Sequence, residues 1–152
     1  TAYEIKECDW SSDVCSSDLT LAREAGGVRL LNRYIADDEV EALFRAADVT
    51  VLPYRSGTQS GVTHVAYALG SPVIATRVGG ITETVHDGET GLTCPPEDPD
   101  ALAATIVRFF AEDLRTRMAE PIAALRAAHS WYTLAHATLD LIEELEPGRG
   151  WA

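Results

Sequence analysis

A chain of 152 residues has room for one domain burying roughly two thirds of its unfolded surface, and 46% hydrophobic with 24% charged residues is ordinary for a globular protein. Its 24 acidic against 12 basic residues leave a net charge of −12, which excludes nucleic acid or an anionic membrane as the main partner, since both would be repelled. No apolar run approaches the ~20 residues of a membrane span and no secretory leader pattern is visible, so the expected compartment is a reducing cytoplasm, with membrane contact peripheral at most.

The first nineteen residues, TAYEIKECDWSSDVCSSDL, have neither helical nor strand periodicity. Serine-aspartate clusters of this kind ordinarily predict disorder. Back-translation gives a sharper reading. Asp9–Leu19 resembles the inner part of a sequencing adapter, Thr1–Ile5 resembles its outer part, and Lys6–Cys8 falls where a sample index would sit. Thr1–Leu19 is therefore expected to be adapter-derived and disordered, joined to a truncated reading frame, by analogy with expression scars. Setting it aside removes five acids (Glu4, Glu7, Asp9, Asp13, Asp18) and one base (Lys6), so the remainder carries −8. Of Cys8, Cys15 and Cys94, which share no metal-ligand spacing, only Cys94 then counts, as a small buried apolar residue.

From Thr20 onward short apolar runs alternate with amphipathic stretches, the pattern of a parallel α/β sheet. Leu21–Ala25 reads as the last turn of a helix stopped by Gly26-Gly27. Val28–Leu31 is a strand candidate, extendable to Ile35. Asp37 and Asp38 open a helix whose positive end suits them, with Val40, Leu43, Phe44 and Ala47 as its buried stripe. Val49–Leu52 is an apolar strand ended by Pro53. Val62, Val65, Ala66 and Leu69 recur at helical spacing before Gly70. Pro72–Ala75 is the next strand, Gly79-Gly80 a tight turn, and Thr82–Val85 a short helix. Asp87-Gly88 and Thr90-Gly91 lead into a strand at Leu92–Cys94. Beyond the acidic, proline-rich Pro95–Pro99 the chain reads as helical. Leu102, Ile106, Phe109 and Phe110 form one stripe, and Leu114–Leu125 a second helix interrupted near Pro121. Ser130 caps a last helix bearing Trp131, Leu134, Ala135, Leu141 and Leu145, which Pro147-Gly148 ends.

The segment most informative for chemistry is Pro53–Gly80, PYRSGTQSGVTHVAYALGSPVIATRVGG. A buried strand delivers a loop of small and polar residues onto a helix N-terminus. There the backbone amides of Ser60, Gly61 and Val62 would face outward beside the positive end of the dipole, an anion site most often filled by phosphate. Gly57 and Gly61 allow close backbone approach, and Thr58, Gln59 and Ser60 offer side-chain hydrogen bonds. In open α/β sheets ligands sit outside the carboxyl ends of the strands, where this loop lies.

In order along the chain, TQSG, G-x-PVIAT, VGG-x-x-E, DG-x-TG and P-D-ALA resemble the carboxyl-terminal lobe of GT-B glycosyltransferases, in the large retaining family four. The resemblance runs from about Gly27 to Ala104, and Ser130-Trp131 suits it too. It implies a doubly wound, Rossmann-like parallel sheet with a helical tail. Residues 1–19 would lie outside the fold, 20–128 would form a truncated nucleotide-sugar-binding domain, and 129–152 the C-terminal helix and tail. The implied activity is hexosyl transfer from a nucleotide diphosphate sugar to an acceptor held by an amino-terminal lobe that is missing here, so this fragment alone would be inactive. Carried over by position, Ser60, Gly61 and Val62 hold the diphosphate, Gly57, Thr58 and Gln59 approach the sugar, and backbone near Tyr34 meets the base. Arg55 and Arg77 are candidates for stabilising charge, and no metal or other cofactor is implied. Many relatives carry Glu-x(7)-Glu where this chain has Gly57 and Val65, so two carboxylates are absent. Glu83, after the VGG turn, suits helix capping as well as ligand contact.

A nucleotide-binding module without transfer activity is the alternative. A serine hydrolase built on Ser60 is a third reading, but the nucleophile elbow needs G-x-S-x-G and Gly57-Thr58-Gln59-Ser60-Gly61 spaces its glycines differently. A nicotinamide-dependent enzyme would need G-x-G-x-x-G, which Val78-Gly79-Gly80 does not supply. His64 and His86 read as surface and helix-end residues, and His129 and His136 lie too far apart for an i, i+4 metal pair, so no metal site is assigned. Glu143, Glu144 and Glu146 read as a solvated helix face.

Overall fold

The computed structural model describes residues 27–145 apart from 30 and 32. Its element order is α1 (Asp37–Ala46), β1 (Thr50–Leu52), α2 (Gly61–Ala68), β2 (Val73–Thr76), α3 (Ile81–Thr84), β3 (Gly91–Cys94), α4 (Pro99–Ala111), α5 (Leu114–Ala128) and α6 (Trp131–Leu145). The strands form a three-stranded parallel sheet in the order β1-β2-β3. Val51 sits opposite Ile74, and Ile74 opposite Leu92. Parallel neighbours cannot be joined by a hairpin, so α2 and α3 serve as the crossovers.

β2 is central and buried at every position, as a four-residue run without a charge requires. Ile74 from β2, Leu92 from β3 and Ile81 from α3 share one core with Phe109, Leu114, Met118 and Ile122 from α4 and α5. Each such side chain, taken from water, contributes about 1.5–3 kcal/mol. α4 begins where Asp98 accepts a 2.9 Å hydrogen bond from the Ala101 amide, with proline at the first helical position. Cys94 is buried, and that burial pushes its thiol up, as suits an inert core residue.

The strands from Val49 onward fall within a residue of their expected places, but four other expectations need correction. Val28, Arg29 and Leu31 are not in a strand; a short apolar run does not itself say what it pairs with, and the described sheet starts at Thr50. On α2 the buried face is Thr63, Ala66 and Tyr67, while Val65 is 39% exposed. Tyr67 wins the inward position because its ring packs in the core and its hydroxyl bonds Thr90 Oγ1 at 2.9 Å. Pro121 does not interrupt α5, which runs through it to Ala128. Phe110 lies outside the buried stripe, standing edge-on against Phe109 and half exposed. The last helix is capped by Ser130 as expected, its Oγ accepting from the Thr133 amide at 3.1 Å, yet none of its residues is buried. The expectations for Leu21–Ala25, for Thr1–Leu19 and for Pro147-Gly148 lie outside the described residues.

Candidate functional site

β1 ends at Leu52, and Pro53 turns the chain into the loop that reaches α2 at Gly61. All three strands point their carboxyl ends to the same side, so this loop, the Arg77–Gly80 turn after β2 and the Pro95–Asp98 segment after β3 gather along one edge. Ser60 occupies the N-cap of α2 but does not cap it. Its hydroxyl instead meets the Tyr54 hydroxyl at 3.2 Å. Among the described residues the N–H groups of Ser60, Gly61 and Val62 donate to no other backbone group. The first turn of α2 contains no acid, whereas α1 opens with Asp37, Asp38 and Glu39 and α4 with Asp98 and Asp100. The positive end of α2 is therefore left without a carboxylate, inside a chain that is otherwise strongly acidic.

The loop is held from outside. Thr76 Oγ1 donates to the Tyr54 carbonyl at 2.6 Å, and the Gly80 amide donates to the Thr58 carbonyl at 2.6 Å. Gly79 adopts φ +49, and a Cβ there would overlap the Gly57 carbonyl oxygen and lie 2.8 Å from its carbon. A Cβ on Gly80 would stand 2.7 Å from the Thr58 oxygen. The VGG turn thus lies directly on the backbone of Gly57 and Thr58, an approach that only residues without side chains permit. Gly61 is the opposite case, since a side chain there would meet nothing within 4 Å.

The structure brings Gly57, Thr58, Gln59, Ser60, Gly61 and Val62 together as one continuous surface; Gly57, Thr58, Gln59 and Gly61 are exposed, and Ser60 is buried at its edge. Arg55 lines an open groove of about 260 Å³ together with Thr76, Glu97 and Asp98, so two acidic residues share the groove with it. Arg77 is engaged elsewhere, its Nη1 donating to the Thr93 carbonyl at 3.3 Å. Tyr34 is 83% exposed, and its carbonyl accepts from Arg33, which pairs in turn with Glu39. No hydrogen bond among the described residues links that segment to the Gly57–Val62 loop. Glu83 is exposed, with its Oε2 3.8 Å from where a Gly80 Cβ would sit. The described hydrogen bonds of Ser60 do not include a histidine, as a nucleophile–base pair would require. Sequence reasoning missed Tyr54, Thr76 and the support role of Gly79 and Gly80. VGG was legible as a turn, but its partner lies more than twenty residues upstream.

The family model described as glycosyl transferases group 1 matches residues 12–112. The D-inositol 3-phosphate glycosyltransferase of Corynebacterium jeikeium is 34% identical over 133 residues, covering 85% of this chain and 32% of that protein. The enzyme of the same name from Streptomyces avermitilis is 37% identical over 109 residues, covering 70% of this chain and 23% of that protein. Among solved structures, sucrose-phosphate synthase from Thermosynechococcus elongatus superposes with a TM-score of 0.65 at 32% identity, over 86% of this chain and 33% of its own. Anabaena HepE, solved in complex with UDP, reaches 0.69 at 21% identity over 86% of this chain and 36% of its own, a likeness of fold. The chain spans about a third or less of the length of the curated relatives it matches.

Proposed function

Because the chain belongs to the glycosyl transferase group 1 family, we propose that it is the donor-binding part of a retaining, hexosyl-transferring enzyme of the family-four type. The observation that carries this reading is the α2 N-terminus, with three outward amides, no acid in its first turn and a backbone loop locked in front of it. Ser60, Gly61 and Val62 receive the diphosphate of a nucleotide sugar, Gly57, Thr58 and Gln59 meet the sugar, and backbone near Tyr34 meets the base. Transfer then relies on stabilising the leaving diphosphate where its negative charge grows, by oriented amides and the helix dipole, with Arg55 and Arg77 as supplementary charge. In this reading no metal is needed, the acceptor is held by an amino-terminal lobe upstream, the compartment is cytoplasmic and the 152-residue chain alone is inert.

A folded Gly61→Leu variant tests the site, because the added side chain enters open space instead of the core. Calorimetric titration of the 152-residue chain with UDP and with GDP should show binding that this variant abolishes. Unchanged affinity would remove the phosphate site.

The alternative, a nucleotide-holding module without transfer, is favoured by Gly57 and Val65, which leave the loop and the exposed face of α2 without the two carboxylates many relatives carry. Sugar transfer by the complete gene product decides between the two. We also read Thr1–Leu19 as adapter-derived. Resequencing the source locus across Leu19 should show an uninterrupted upstream lobe without that string; finding it encoded in the genome would favour the stand-alone module.

A further inference from the structure

Resting on the donor-site reading above, we infer that the Gly79–Gly80 turn is the positioning element of the site. It sets which way the peptide groups of the Gly57–Gln59 segment face, and so whether their amides are available to a bound anion. A trans peptide points its carbonyl and the next residue's N–H in opposite directions. The Gly57 carbonyl is pressed against Gly79, so the Thr58 N–H faces away from the turn. The Thr58 carbonyl accepts from the Gly80 amide at 2.6 Å, so the Gln59 N–H faces away as well. Neither N–H donates to a backbone acceptor among the described residues. Two consecutive amides are thereby displayed just before the three of the helix terminus, an arrangement of successive N–H groups that attracts anions.

The loop's own sequence does not enforce this. Gly57 has no Cβ to bias its rotation, and the exposed Thr58 and Gln59 side chains have no described partner. The second strut is side-chain chemistry, with the Thr76 hydroxyl fixing the Tyr54 carbonyl and the Tyr54 hydroxyl meeting Ser60. Gly79, Gly80, Thr76 and Tyr54 are thus positioning residues that act through the loop.

Wild-type 152-residue chain and the variants G79A, G80A and G88A are titrated with inorganic pyrophosphate and with UDP, well below each variant's measured Tm. G88A is the control: Gly88 has φ +82, so alanine is strained there, yet its Cβ meets nothing within 4 Å. The expected result is at least a tenfold loss of affinity for both probes in G79A and G80A, with G88A binding as wild type despite a lowered Tm. Ligand-induced slowing of hydrogen exchange at the Thr58 and Gln59 amides should be present in wild type and absent in G79A. If G79A does not fold, G80A decides, since its φ of −79 carries no left-handed strain. Wild-type binding with unchanged affinity in folded G80A overturns this inference and leaves the donor site standing. Equal losses in all three variants overturn it too, because they would track stability. A wild-type chain that binds neither probe overturns the donor reading itself.

Discussion

Replacing Thr63 by valine should stabilise the protein, against the usual direction of core substitutions. Thr63 is 1% exposed on α2, and among the described residues its Oγ1 is the buried side-chain polar atom with no hydrogen-bond partner. A threonine inside a helix normally returns its hydroxyl to the carbonyl one turn back, as Thr105 does to Ala101 at 2.7 Å. Thr63, in the first turn, makes no such bond. An unpaired buried hydroxyl costs about 1–3 kcal/mol, and valine keeps the branched shape with nearly the same helix propensity. The net gain should be about 1–2 kcal/mol, which for a domain of this size raises Tm by roughly 3–10 °C. In urea, with m of about 2 kcal/mol/M, the midpoint should rise by roughly 0.5–1 M with m unchanged. A midpoint that falls would mean the hydroxyl is bonded in solution. One that stays put would mean it carries no desolvation cost. Either result refutes the argument.

The Arg33–Glu39 pair makes a pH-dependent prediction. The hydrogen bond from Arg33, reinforced by the Ala36 amide, holds the Glu39 carboxyl well below its ordinary 4.5, at about 2. A folded value below the unfolded one means the pair's contribution is fully present above about pH 4.5 and is lost as pH falls through about 2. An NMR titration should place the Glu39 midpoint near 2, with Arg33→Ala moving it back toward the ordinary range; a wild-type midpoint already in that range contradicts the pairing. Pro121 inside α5 lacks the N–H that would bond Arg117, so Pro121→Ala should raise stability by about 1–2 kcal/mol after allowing for the more flexible unfolded chain. A lowered Tm in thermal melts would show that the pyrrolidine ring's packing outweighs the missing bond.

What could be read without coordinates follows from the range of the forces involved. β1, β2 and β3 were legible because an apolar run bounded by proline, glycine or turn residues leaves few other conformations, and the loop onto α2 was legible as glycines and hydroxyls before a helical stripe. Val65 and Tyr67 show where local pattern fails. They lie about 200° apart on a helix, and the shared core together with Thr90, brought up by the turn before β3, selects the tyrosine for the inside. The contact of Gly79 with Gly57 was invisible for the same reason, since two glycines at a distance in sequence carry no sign that they touch. Pro121 was misread in another way: local preference argued for a break that the packing of Met118 and Ile122 on either side overrides.

The exposure of α6 separates two quantities that usually travel together, helical signal and cooperative stability. Trp131, Leu134, Leu139, Leu141 and Leu145 all stand more than half exposed, so this helix takes almost nothing from the shared core. Fifteen residues are near the lower limit at which a helix holds itself in water. The ellipticity of α6 should therefore decline gradually with temperature, as a sloping baseline, before the sheet and its packed helices unfold in one step. Calorimetric enthalpy would then report on the segment ending near Ala128, while circular dichroism reports on more of the chain than actually unfolds together.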